Sequence, residues 1–379
     1  MTSDHSTVDR IRHELRNANL QQARRLLVAA STPVRSIAPG LARPQASSTP
    51  ENRPVWGIRE TGAFSPVPAS FASVMDARPY DQSTVVLSLN DGGATFRNLH
   101  ALDSQQRVLY EEQLSFGALP IALERLEPTQ QHFESVAYLS NTLPGNFYHW
   151  LLLVLPMLRF YEAAGIAVDK FYVGEPLRGW QQRTLDFVGL TEDQIVTSAC
   201  SADVAHVAVL TRRINGVPPD QVLWARKAFV PDEPPPGHRR LFVGRGTNIK
   251  NRSMIDEDVI AQRLEQEFGF EYITTSGMTL DDEIEVFGQA EAVVAPYGAA
   301  LTNLLFAPRG TKVLELQAYD NDFSITHCYQ ELSAVLGNPH GFIRGEPTPR
   351  KKRGLMSDIL IDAELIVRET EKMLNSRVE

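Results

Sequence analysis

The chain has 379 residues, of which 43% are hydrophobic, enough to bury more than one core and to divide into two or three domains. Its 37 Lys and Arg against 46 Asp and Glu give a net charge of -9, which excludes general nucleic-acid binding and leaves polyanion contacts to local clusters. Cys200 and Cys328 are too few for a disulfide framework or a zinc site, which suits a reducing compartment, so the expected location is cytoplasmic.

The N-terminal residues carry no apolar run behind their charges, and Asp4, Asp9 and Glu14 do not suit a secretory or transit signal. Thr7 to Ala30 is predicted as a polar helix with Ile11, Leu15, Leu20, Leu26 and Leu27 as a partial stripe, and Ser31 to Pro54 as a Pro/Ser/Ala-rich linker. Strands are predicted at Thr84 to Leu89 and Glu134 to Leu139, and a long helix from about Asn146. The longest apolar run, Trp150 to Leu155, falls far short of the roughly 18 residues of a membrane span.

Alternation follows: strand Lys170 to Val173, helix Gly179 to Val188, strands Gln194 to Thr197 and Val204 to Leu210, helix Pro218 to Phe229. Pro231 to Gly237, with four prolines, excludes helix interior and central strand and is the predicted domain boundary. Beyond it the pattern restarts with strand Arg240 to Val243, helix Asp256 to Phe268, strand Glu271 to Ile273, helix Leu280 to Ala290, strand Ala292 to Ala295, helix Ala299 to Phe306 and strand Lys312 to Leu316. Ile359 to Leu374 reads as a terminal helix. Two consecutive α/β domains result, with a cleft between them as the expected ligand site. The expected division is an arm and linker over 1–55, α/β domains over 56–230 and 238–345, and a basic loop and helix over 346–379.

Three segments can carry chemistry. In Leu143 to Pro156, Asn146 is a predicted N-cap, and Asn146, His149, Trp150 and Leu153 share one helix side at three- and four-residue spacing. A histidine there suits a general base or a substrate-hydroxyl contact, and equally a core histidine bonded to backbone. In Leu241 to Arg252, a strand runs into a loop bearing Arg245, Lys250 and Arg252, suited to phosphate oxygens or to a solvated basic loop. Neither a Walker A loop nor a GxGxxG fingerprint is present, which weakens ATP hydrolysis and nicotinamide-dependent redox chemistry.

The third segment, Glu291 to Leu316, reads as strand, tight turn, short helix, turn and strand. Gly298 and Ala299 leave the helix start open to a phosphate, Thr302 and Asn303 lie one turn in, and Glu315 suits a ribose diol. Close strand–helix packing is the plainer alternative. Asp320 to Asp322 has a DxD-like pattern that could hold a divalent metal beside a diphosphate, with a solvated Asx turn as the favoured reading, and Arg350, Lys351, Lys352 and Arg353 form the one dense basic patch, suited to peripheral membrane contact or to a solvated loop.

Together these segments resemble glycosyltransferase family 61. The residues that carry the resemblance are Asn146, His149, Trp150, Leu155 and Pro156; Arg245, Arg252 and Glu257; and Gly298, Ala299, Leu301, Thr302, Asn303, Phe306, Pro308, Gly310, Thr311 and Glu315, spread over roughly residues 80 to 320. The resemblance implies a GT-B fold, two facing Rossmann-like α/β domains with a central cleft. It also implies an inverting transfer from a nucleotide-sugar donor, of UDP type, to a hydroxyl of a glycan or other acceptor. His149 would be the acceptor base, with Arg245, Arg252, Tyr297, Gly298 to Asn303 and Glu315 around the donor. No cofactor or divalent metal is expected, since cations and a helix N-terminus can stabilise a leaving diphosphate.

The chain departs from the family pattern at four places. Leu153 stands where the family has an Asp one turn after the histidine, Tyr297 where it has a His, Met157 where it has an Arg, and Asp256 where it has an Asn before Glu257. A histidine without its carboxylate lacks support for the imidazolium it forms on taking a proton. These departures leave a second expectation open, a catalytically impaired binding or scaffold subunit of a glycan-assembly or protein-glycosylation system. The Thr7 to Ala30 helix is a candidate contact in an oligomer.

Overall fold

The computed structural model describes residues 46–48, 84–89, 94–97, 99–103, 128–141, 143–163, 165–210, 219–246, 252–318, 328–346 and 357–376. The expected N-terminal helix, Lys250, Asp320 to Asp322 and Arg350 to Arg353 lie outside them.

The chain forms two sheets with helices between and around them. In the first, β1 (Ala46–Ser48), β2 (Thr84–Leu89), β8 (Cys200–Leu210), β5 (Gln131–Tyr138), β6 (Lys170–Tyr172) and β7 (Ile195–Val196) stand in that order. The hairpin of β3 (Ala94–Arg97) and β4 (His100–Asp103) joins it through β8. The pairs β5–β8, β5–β6 and β6–β7 are parallel, and β2 and β3 lie antiparallel along one edge of β8. Part of the expected linker is therefore strand: Ala46 pairs with Leu87.

The second sheet is wholly parallel, in the order β10 (Glu271–Ile273), β9 (Arg239–Val243), β11 (Ala290–Pro296), β12 (Lys312–Gln317), β13 (His340–Arg344). Its strands read as nearly continuous apolar runs because both faces are covered. Phe242, Val294 and Leu314 face helices α4 (Glu257–Phe268) and α7 (Ala363–Asn375) through Ile260, Leu264, Ile366 and Met373. Leu241, Val243, Val293 and Val313 face the other way, into a core that also holds Ala137, Leu139, Phe171 and Val173 of the first sheet. One continuous apolar core thus joins the two sheets. It is filled by α3 (Pro219–Phe229) and by a composite helix α1, with α2 (Gly179–Phe187) and α5 (Leu280–Phe287) at its margin.

Helix α1 is not the regular helix that the spacing predicts. Phe147–His149 is α-helical, Trp150–Val154 is a π segment, Leu155–Met157 is a 3-10 turn, and Leu158–Ala163 is α-helical again. Pro156 has no N–H to continue the α ladder. The Leu155 N–H instead reaches back to the Trp150 carbonyl, and the Leu158 N–H to that of Leu155.

The proline stretch 231–237 does separate the two sheets in sequence, but it is tied down. Glu233 pairs with Arg226 at 3.0 Å and accepts the Arg309 N–H at 2.9 Å, and a Cβ at Gly237 would lie 2.1 Å from the Ala290 carbonyl oxygen. Strands β3, β4 and β13 and helix α6 (Cys328–Leu336) were not predicted. The helix expected over Ala299 to Phe306 is of 3-10 type, and the terminal helix begins at Ala363 because Ile359 bridges to Met254. Among the described residues no helix is long and apolar enough to cross a membrane, and no group of three or more His, Cys, Asp or Glu side chains could hold a metal ion.

Candidate functional site

In the second sheet all strands point the same way, but the order in which they are laid down reverses: β10 is added on one side of β9, and β11, β12 and β13 on the other. The chain reverses between β9 and β11, and in such sheets ligands bind in the crevice beyond the carboxyl ends of the strands at that reversal. Arg245 follows β9 and Tyr297 and Gly298 follow β11, so the two sequence segments meet there. The Arg245 Nη1 donates to the Tyr297 carbonyl at 3.1 Å. A Cβ on Gly298 would lie 2.7 Å from the same nitrogen, so glycine lets the guanidinium cross the turn.

The loop is held from behind by Glu257 in the first turn of α4. Its carboxylate accepts the Arg245 N–H at 3.0 Å, the Gly246 N–H at 2.9 Å and the Tyr272 hydroxyl at 2.6 Å. Burial and the Glu257 charge push the Tyr272 phenol up to about 12.

Arg252 stands beside this loop in a left-handed conformation, φ 58°, uncommon for a residue with a side chain. Burial, and then the nearby Arg252, lower Arg245 to about 10. Neither guanidinium pairs with a carboxylate among the described residues, and the Nε of each is buried without a hydrogen-bond partner. Two half-buried like charges held together are stabilised by a bound anion.

A row of tyrosines links this crevice to α1. Tyr297 meets Tyr329 edge to face at 5.3 Å, Tyr329 meets Tyr148 at 5.5 Å, and Tyr148 meets the His149 ring at 5.7 Å. The Tyr297 hydroxyl lies 3.9 Å from the Cys328 Sγ. Burial above all raises all three phenols well beyond their ordinary value, so they remain neutral. The sequence reading missed Tyr148, Cys328 and Tyr329. Tyr148 stands beside His149 within the Leu143 to Pro156 segment, whereas Cys328 and Tyr329 lie on α6, which is buried on almost every side and shows no clean stripe.

His149 lies in the first turn of α1 with its N–H donated to the Asn146 side chain at 3.3 Å, so Asn146 is the N-cap that its type predicts. Asn141, just beyond β5, places its Nδ2 3.3 Å from the His149 Nδ1. Burial lowers the imidazole to about 4.

Trp150 does not share the face of His149. It points into the core, where it is fully buried and its indole N–H donates to the Thr184 Oγ1 at 2.8 Å. Leu301 is likewise a core residue. Glu315 is fully buried: its carboxylate accepts from the Gln317 Nε2 at 2.7 Å and lies 2.9 Å from the His340 Nε2, whose Nδ1 is 2.7 Å from the Ser333 Oγ. Both oxygens expected at a ribose are thus engaged inside the fold.

Ala299 and Ala300 are half-exposed at the start of the 3-10 helix. Thr302 and Asn303 are fully buried, and among the described residues no group stands in strict hydrogen-bond geometry with the Thr302 hydroxyl or the Asn303 amide atoms. The Glu283 carboxyl of α5 faces Asn303, and burial raises it to about 7.

Residues 147–314 match the family model of Glycosyltransferase 61. No curated protein matches the chain. The matched span takes in His149, Arg245, Arg252 and the Tyr297 to Asn303 turn, and stops one residue short of Asn146 and of Glu315.

Proposed function

We propose that this chain, which belongs to glycosyltransferase family 61, moves a sugar from a nucleoside-diphosphate donor of UDP type to a hydroxyl of a glycan or similar acceptor, with inversion at the anomeric carbon. The observation that carries the reading is the convergence of Arg245 and Arg252, half-buried and, among the described residues, without a carboxylate partner, at the reversal of a parallel sheet. Their charges would hold the diphosphate and stabilise it as it leaves, with the exposed start of the 3-10 helix as a further donor of N–H groups. In the transfer the acceptor oxygen bonds to the anomeric carbon, the anomeric carbon–phosphate oxygen bond breaks, its electron pair leaves with the diphosphate, and the acceptor proton is released. Two cations serve the leaving group without a required metal.

The GT-B arrangement belongs to the same proposal. What supports it is that β5 of the first sheet delivers Asn141 and His149 to the carboxyl side of its strands, as β9 and β11 deliver Arg245 and Gly298 to theirs. The tyrosine row joins the two. Calorimetry with UDP and a panel of UDP-sugars tests the reading: binding that Arg245→Ala and Arg252→Ala each weaken supports it, and no binding by any nucleoside-diphosphate sugar overturns it.

A second reading, a binding or scaffold subunit of a glycan-assembly or protein-glycosylation system, is favoured by one observation. Among the described residues, the group that the His149 Nδ1 faces is the Asn141 amide. Nucleotide-sugar binding with no turnover across a broad acceptor panel selects that reading.

A further inference from the structure

We propose that Asn141 holds His149 as the neutral tautomer with its proton on Nε2, which makes His149 a hydrogen-bond donor to a sugar oxygen and excludes it as the base. The assignment follows from which atoms can donate. The Leu143 backbone N–H, a donor only, lies 2.8 Å from the Asn141 Oδ1, which fixes the orientation of the amide. The opposite end of that amide, an NH2 with no lone pair to offer, is the group 3.3 Å from the His149 Nδ1. Nδ1 must therefore present a lone pair, and the one proton of the neutral ring sits on Nε2.

Asn141 is well placed to impose this. It is buried and directly follows the end of β5, where Leu139 N–H bonds the Tyr172 carbonyl at 2.9 Å and the Ser140 hydroxyl bonds the Val173 carbonyl at 2.6 Å. Protonation of Nδ1 would set N–H against N–H. Among the described residues the neighbouring Asn146, Tyr148 and Tyr329 are neutral, and burial depresses the imidazole in the same direction. This is the reverse of a His–Asp dyad, in which a carboxylate accepts from Nδ1 and leaves Nε2 free to take a proton. Asn141 is thus a positioning residue acting through His149. The tautomer follows from geometry alone, while the sugar contact rests on the proposed transferase reading.

The test is a long-range 1H–15N correlation spectrum of the full chain labelled with 15N-histidine, its His149 signals among nine histidines assigned by comparison with His149→Gln. The expected result is a neutral ring with the Nε2–H pattern from about pH 5.5 to 8, where an ordinary histidine of pKa about 6.5 titrates. Asn141→Asp is expected to move the proton to Nδ1 or to charge the ring, bringing titration into that range. Asn141→Ala should yield exchange between the two tautomers. An Nδ1–H pattern, or a charged ring at pH 7 in the unmodified chain, overturns the proposal, and that reading stands even where a variant fails to fold. Because the spectrum needs no donor or acceptor, a chain that shows the expected tautomer yet binds no nucleotide sugar refutes the transferase reading and leaves this one intact.

Discussion

The Nη1 of Arg245 donates to the carbonyl of Tyr297 at 3.1 Å, and this single bond ties the loop after β9 to the turn after β11 across the reversal of the sheet. It leaves Arg245 aimed over Gly298, beside Arg252 and against its repulsion. Replacement of either arginine by Ala removes a charge-assisted contact worth about 1.5–3 kcal/mol, so UDP affinity should fall by about 10- to 100-fold in calorimetry. Because half-buried like charges repel, neither substitution should lower the melting temperature appreciably without ligand, and Arg252→Ala is expected to be neutral or stabilising.

Gly298→Ala probes the same crossing. The added methyl meets only the end of a flexible side chain, and the Gly298 backbone is extended, φ 168°, a conformation open to any residue. The fold should therefore be kept, with urea denaturation within about 1 kcal/mol of the parent. Nucleotide binding should weaken as in Arg245→Ala, because the guanidinium is displaced. A large stability loss with unchanged affinity would refute this placement.

Glu283 makes stability depend on pH. Burial raises its carboxyl from the ordinary 4.5 to about 7 in the folded chain. Between those values the folded state keeps a proton that the unfolded state has lost, so stability falls as pH rises from about 4.5 to 7 and levels off above. The shift corresponds to about 3 kcal/mol at most. Glu283→Gln, which puts a neutral amide of the same size beside Asn303, should flatten that slope and exceed the parent in stability at pH 8, as read by urea unfolding at pH 5 and 8.

His340→Leu should be among the costliest substitutions. It leaves the Glu315 carboxylate, fully buried, with Gln317 as its remaining hydrogen-bonding side chain, and breaking one side of a buried pair costs about 3–5 kcal/mol. Adding Glu315→Gln removes the stranded charge and should restore part of the loss. A double variant no more stable than His340→Leu would show that the pair contributes little.

Much of the secondary structure was legible because parallel strands covered on both faces are continuous apolar runs. Thr84–Leu89 and Glu271–Ile273 match prediction residue for residue, and β9, β11 and β12 match to within two residues. Helix ends were legible where a side chain closes them, as Thr279 does for α5 through its reciprocal bonds with Asp282. Trp150 was grouped with His149 on spacing alone, but successive helical residues point about 100° apart, and its side chain goes into the core. Helix α6 escaped because a helix buried almost all round has no polar face to mark its period.

The sequence by itself determined the α/β alternation, the basic residues Arg245 and Arg252, the Asn146 cap and the turn at Gly298, since each depends on residue type or near neighbours. Only the tertiary structure decided which of these meet and in what chemical state. Arg245 and Tyr297 are 52 residues apart and meet because β9 and β11 are adjacent. Glu315 is turned inward because His340 lies on the next strand. The state of His149 depends on Asn141, eight residues away and outside its helix, whose amide is oriented by one backbone N–H. Proton placement depends on distances of about 3 Å between groups brought together by packing, and residue order alone does not specify those distances.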